Sequence, residues 1–292
     1  MVLSCGRINP FFSEWDTPYG LPPFDEIKET HYLKAVKFGK RQQSAEIDAI
    51  IANEHEPTFE NTIAAYEHSG KILDRVTGVL FNVSESDATP SMQRIVEKAI
   101  PLLSAHSDNI FMNPYFFERV KTVYEGMDDA GLTMEQKMVV KKLYNSFLAN
   151  GISLDEAGQA RMREINGALA SLEQTFGNNL LAQTNAFSLL VEDTSGIAGL
   201  PSGVVEAASS DAAAAGYDSS AETGPWLFTL HNPSYVPFMT YSARRDLREE
   251  MFKAYSSRGN NGGKNDNKDV VLQIMALRTE KARLLGYDTP AD

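Results

Sequence analysis

At 292 residues and 32.2 kDa, the chain is long enough for one large domain or two ordinary ones, with a core that needs neither disulfides nor metals. A composition 42% hydrophobic, 10% aromatic and 23% charged is that of a soluble globular protein and excludes disordered and collagen-like classes. Twenty-seven basic against thirty-nine acidic residues leave a net charge of −12, which argues against nucleic acid or an anionic membrane surface as the main partner.

At the N-terminus, Val2-Leu3-Ser4-Cys5-Gly6 is like the end of a bacterial lipoprotein signal, without the basic and apolar leader that should precede it. Cys5 is therefore the candidate lipidation site, set against a chance cysteine in a floppy tail. The expected location is the cytoplasm or, with a lipidated Cys5, the bacterial cell envelope, on the periplasmic side. As the single cysteine, Cys5 also excludes an intrachain disulfide and a zinc site built from several thiolates. No run of 18 apolar residues occurs, so no transmembrane segment is expected.

Residues 7–26 are rich in proline and aromatics and read as an extended arm lying on an apolar surface. A first helix follows, with Thr30 as its N-cap and Pro57 ending the run. A second is predicted unbroken from Thr58 to about Val83, with the glycosylation-like triplet Asn82-Val83-Ser84 inside its helical pattern. Thr89-Pro90, Asn113-Pro114 and Thr133 open the next three, and 153–185 is the longest, making six helices in the first 185 residues. Two short strands, Ser188 to Val191 and Trp226 to Leu230, flank an alanine-rich helix from Pro201 to Ala215 and have the length to pair. Helices over Arg244 to Ser257 and Val270 to Leu285 enclose a polar glycine- and asparagine-rich loop. The fold class is mainly α, a multi-helix domain with a small β insertion around 188–231. The expected divisions are an arm at 1–26, a helical domain at 27–187, a small α+β insertion at 188–241 and, at 242–292, helices leading into a part the sequence does not contain.

Catalytic signals are sparse. His55-Glu56 begins like H-E-x-x-H, but position 59 is Phe and Pro57 breaks the helix that the zinc geometry requires. His68 reads as solvated beside Glu67 and Lys71, and His31 as bonded to the first helix start or the arm. His231 ends a strand just before Asn232-Pro233, where side chains are well placed for function, but a purely structural role is the favoured reading. No G-x-S-x-G elbow occurs, and the adjacent acids Glu249-Glu250 and Asp128-Asp129 read as solvated. No phosphate loop, dinucleotide fingerprint or fixed helical repeat is present.

Several stretches nevertheless form an ordered set: Asn9-Pro-Phe-Phe12, Pro23-Phe-Asp-Glu-Ile27, His31-Tyr32, Pro57-Thr-Phe-Glu-Asn-Thr-Ile63, Glu67-His-Ser-Gly70, and Arg75-Val-Thr77. Leu227-Phe-Thr-Leu-His-Asn-Pro-Ser-Tyr235, Arg248 to Tyr255 with Arg258, and Leu284-Leu-Gly-Tyr287 continue it. In order and spacing this set resembles the thimet-oligopeptidase-like zinc metallopeptidases, in particular their peptidyl-dipeptidases, across nearly all of 9–287. The resemblance implies the helical N-terminal part of such an enzyme, walling a deep channel that admits short peptides. It also implies that the zinc ligands and transition-state groups lie in a C-terminal half that this sequence does not contain. No catalytic, cofactor-binding or metal residue is therefore assigned. The chain is expected to be inactive alone, to leave an apolar seam at Val270, Ile274, Leu277, Lys281, Leu284 and Leu285, and to pair there with the missing catalytic half. The alternative is a stand-alone helical module that binds a peptide or protein without catalysis.

Overall fold

The computed structural model describes residues 9–86 and 89–292. Cys5 lies outside the described residues. By backbone contacts the chain forms two compact units, 1–171 with 276–292, and 172–275. Helices predominate, with one small two-stranded sheet, as the hydrophobic periodicity predicts.

The first unit is built on helix α1 (Glu29–Ile51), which packs against α3 (Lys71–Ser86) and α4 (Pro90–Phe111). The cap of helix α1 lies two residues before the predicted Thr30. Lys28 is the extended residue there, and its N–H donates to His31 Nδ1 at 3.0 Å. Thr58 caps the next segment, exchanging bonds with Asn61. That segment is a single wide π-turn (Phe59–Ala64) running into the short α2 (Ala65–Glu67). It does not continue to Val83: the chain breaks at Gly70, whose φ of +74° interrupts any right-handed helix. The Gly70 N–H, freed from the helix, donates to Glu46 Oε2 at 2.7 Å. The Asn82-Val83-Ser84 triplet lies inside α3.

Thr89, Asn113 and Thr133 each cap with their side chains, opening α4, α5 (Pro114–Gly126) and α6 (Met134–Ala149). Two cores result. One joins Phe11, Tyr32, Val36, Val76 and Leu80, and the other joins Ile63, Phe116, Val120, Val140 and Phe147. The arm is tied down only at its start. Phe11 is fully buried, Asn9 donates to the His31 carbonyl, and Arg75 donates to the carbonyls of Phe11 and Ser13 while lying over the Trp15 ring. Farther along, the arm is not laid on an apolar surface throughout, since Tyr19 is 99% exposed and Leu21 and Phe24 are exposed too. It also turns twice in short 3-10 helices, because each proline sits where a first-turn N–H is dispensable.

Helix α7 (Glu156–Ala186) is the longest. Its apolar stripe is fully buried at Met162 and Ile165, but Phe176 is exposed. Within the first unit, Arg161 of α7 grips Glu280 of α11 (Lys268–Leu284) through two bonds of 2.6 and 2.9 Å, and Lys281 donates to Asn166.

The second unit holds strands β1 (Ser188–Val191) and β2 (Trp226–Thr229), paired antiparallel with Leu189 opposite Phe228. Helix α8 (Ser202–Ala214) packs on β2, and Trp226, Phe228, Phe238 and Met251 fill the core beneath. Between β2 and α10 (Arg245–Ser256) lies α9 (Asn232–Tyr241), which the sequence reading passed over. Pro233 is read as a strand terminator but serves as first-turn proline of α9, and Pro237 inside the helix masks its periodicity.

Among the described residues, no helix is long and apolar enough to cross a membrane.

Candidate functional site

The conspicuous side-chain arrangement of the second unit gathers residues from two of the quoted motifs and from the end of α7. Tyr235 on α9 and Tyr255 on α10 stack with ring centroids 4.2 Å apart and planes 13° from parallel. The Arg258 guanidinium lies 3.6 Å over the Tyr255 ring, donates from Nη1 to Thr184 Oγ1 at 2.8 Å and from Nε to the Tyr255 carbonyl at 3.0 Å. Burial, then the neighbouring Tyr255, holds the Tyr235 phenol above its ordinary pKa, and Arg258 opposes the shift.

The loop after Arg258 is pinned to α7 by amides. Gln183 Oε1 accepts from Gly259 N–H at 2.6 Å, and its Nε2 reaches Asn261 Oδ1. Buried Asn267 accepts from Asn179 and donates to the Phe176 carbonyl. The loop closes on itself where the Asn267 N–H meets the Gly259 carbonyl at 2.7 Å. Gly259 is required there, because its φ is +71° and a Cβ would sit 3.0 Å from Asn267 Nδ2. Beside this loop opens a cleft of about 460 Å³ lined by Phe176, Arg258, Asn260, Lys268, Val271 and Leu272. It offers apolar surface, amides and cations. A second cleft of about 500 Å³ lies between β2 and α8, with His231 on its lining.

The predicted seam is displaced on α11. Val270, Ile274, Leu277, Lys281, Leu284 and Leu285 are half-buried, and the wet apolar residues are Val271, Leu272 and Met275, the last two 64% and 60% exposed. Lys281 donates to Asn166 of α7.

The histidines are scattered. His31 accepts at the start of α1, as expected. His68 is exposed, and His55 is exposed with Nδ1 3.1 Å from Asn53 Oδ1. Arg119 fixes the surrounding loop by donating to the Asn53 and His55 carbonyls. His231 is exposed at the start of α9 without a capping bond from its side chain. Glu249 pairs with Lys253, and Asp128 pairs with Lys137 at an exposed site.

The local H-E pair is not set up as a metal site among the described residues. The His55-Glu56 pair ends in Pro57, and among the described residues no three His, Cys, Asp or Glu side chains gather as a metal would need.

His106 is the buried histidine; its Nε2 lies 2.8 Å from Gln43 Oε1, and Gln43 Nε2 donates to Ser69. Burial, reinforced by Lys40, lowers its pKa below the ordinary 6.5. The unfolded chain therefore takes up a proton first as pH falls, and stability declines through the window below 6.5 and recovers above it. Urea unfolding between pH 5 and 7 should show this slope, flattened in His106→Gln, which keeps a donor for Gln43. His31, shifted the same way by burial and then Lys28 and Lys34, leaves a residual slope in the variant.

No protein-family profile matches the chain. It is 31% identical over 280 residues to the dipeptidyl carboxypeptidase of Escherichia coli (strain K12), covering 96% of this chain and 40% of that protein. It is 32% identical over 279 residues to oligopeptidase A of Salmonella typhimurium (strain LT2), covering 94% and 40%. With the organellar oligopeptidase A of Arabidopsis thaliana it shares 30% identity over 288 residues, 97% of this chain and 35% of that protein. The chain thus spans about 40% of the length of the bacterial relatives it matches. The ordered motifs, the helical architecture and these relatives agree that the chain is homologous to the N-terminal part of the dipeptidyl carboxypeptidases and oligopeptidases A, the thimet-oligopeptidase-like metallopeptidases.

Proposed function

We propose that this chain is the channel-wall part of a zinc metallopeptidase that releases dipeptides from the C-termini of short peptides, with the metal and the reacting groups supplied by the remainder of such an enzyme. The observation that carries the reading is the unbroken similarity across 96% of the chain to a 40% portion of a dipeptidyl carboxypeptidase. The exposed apolar residues Phe176, Val271, Leu272 and Met275 support a covering partner there, because leaving large apolar side chains wet forgoes about 1.5–3 kcal/mol for each.

A fusion tests this directly. The chain replaces the matching 40% of the Escherichia coli dipeptidyl carboxypeptidase, and dipeptide release from short synthetic peptides is measured beside the chain alone. The fusion is expected to release dipeptides in the presence of zinc and the isolated chain none. Dipeptide release by the isolated chain, or a folded fusion without activity, overturns the proposal.

A further inference from the structure

The cleft between β2 and α8 has a form that the peptidase reading does not use. The sheet has two strands in the order β1-β2, so β2 is paired on one side only. The Thr229 N–H turns away from β1 and donates to Ser234 Oγ at 3.0 Å. Alternate residues of a strand direct their backbone groups the same way, so the N–H and C=O of Leu227 leave on that side too. Leu227, Thr229 and Ser234 all line the cleft, which places this backbone edge along it.

Helix α8 forms the opposite wall. Val204, Ala207, Ala208, Asp211 and Ala214 lie on one face at helical spacing. Alanine side chains along that face are too small to fill the space beside the strand edge and leave an apolar slot of about 500 Å³. Asp211 is exposed on this wall, and the whole chain carries a net charge of −12.

From these observations we infer that the slot binds an extended peptide as a third strand on β2, with apolar side chains against the alanine wall and a lysine or arginine opposite Asp211. The backbone edge supplies hydrogen bonds that need no particular sequence, and the carboxylate supplies the preference for a cation. Four residues of β2 span about 13 Å, so the complement is a strand of four or five residues. The slot stands apart from the peptidase reading, since it is tested on the chain alone and that reading on the fusion.

The probe is the fluorescent pentapeptide acetyl-Thr-Val-Lys-Val-Thr-amide, titrated against the whole chain while backbone hydrogen exchange is followed. Saturable binding should slow exchange at Leu227. N-methylation of the peptide in one alternate phase should abolish binding, and in the other phase should leave it intact. Asp211→Lys should weaken the lysine peptide about tenfold and favour the glutamate analogue. Ala207→Trp, at an exposed position that leaves the core alone, should block both peptides. Absent binding, unchanged exchange at Leu227, equal tolerance of both methylation phases, or indifference to Asp211→Lys overturns the inference. So does pairing of two copies of the chain through this edge, seen as a mass that doubles with concentration.

Discussion

Arg258→Ala is expected to cost about 2–4 kcal/mol, combining a partly desolvated cation–π contact with two hydrogen bonds from a charged donor. The guanidinium joins what the chain keeps far apart: Thr184 at the end of α7, and Tyr255 on α10 stacked in turn on Tyr235 of α9. Removing it leaves the buried Thr184 hydroxyl without that donor and uncovers one face of the tyrosine pair. Arg258→Lys is expected to recover less than half of the loss, because an ammonium has neither the plane to stack nor the fork to donate two ways. The chain has two tryptophans, and Trp226 lies in the core of the second unit. Urea unfolding followed by Trp226 fluorescence in a Trp15→Phe background therefore isolates this effect. A lysine variant as stable as the parent would show that the stack contributes nothing.

Gly39→Val is expected to cost about 3 kcal/mol, the upper end of overpacking penalties. A Cβ at Gly39 would lie 2.8 Å from the Leu73 nitrogen and 2.9 Å from its Cα. Those are backbone atoms of α3, so no side-chain rotation relieves the clash, and α1 and α3 must separate. The matched control is Gly78→Ala, on the exposed side of α3 with no atom within 4 Å of its Cβ. That change is expected to stabilise by about 0.5–1 kcal/mol, since alanine loses less backbone freedom than glycine on forming a helix. Trp15, which packs with Phe11 at the start of the arm, reports both in a Trp226→Phe background. Effects of the same sign at the two glycines would refute the close-approach argument.

Ionisation separates the two units' pH responses. Arg244 holds the Asp246 carboxyl at about 2, mainly through their hydrogen bonds, so this pair stays charged through the range in which His31 and His106 titrate. Being exposed on the surface, it contributes little to stability.

Local chemistry made much of the fold legible in advance. Thr58, Thr89, Asn113 and Thr133 cap their helices because a short side chain in extended backbone reaches the N–H groups of the first turn, which needs nothing beyond neighbouring residues. The two strands and the alanine-rich helix between them were equally readable from composition and flanking glycine and proline. Helix α9 was not, because Pro233 carries the same local signal whether it ends a strand or begins a helix. The break at Gly70 depends on Glu46, 24 residues away, which accepts the N–H that the helix gives up. The tyrosine–arginine stack, the half-covered stripe of α11 and the edge of β2 facing α8 arise from the same cause. Each depends on which distant element lies alongside, and periodicity records only that a face is apolar, not what comes to cover it. The sequence by itself therefore determined most of the helices, the strand pair and the absence of a local H-E-x-x-H, while the tertiary structure decided where the second helix breaks and which apolar faces stay exposed.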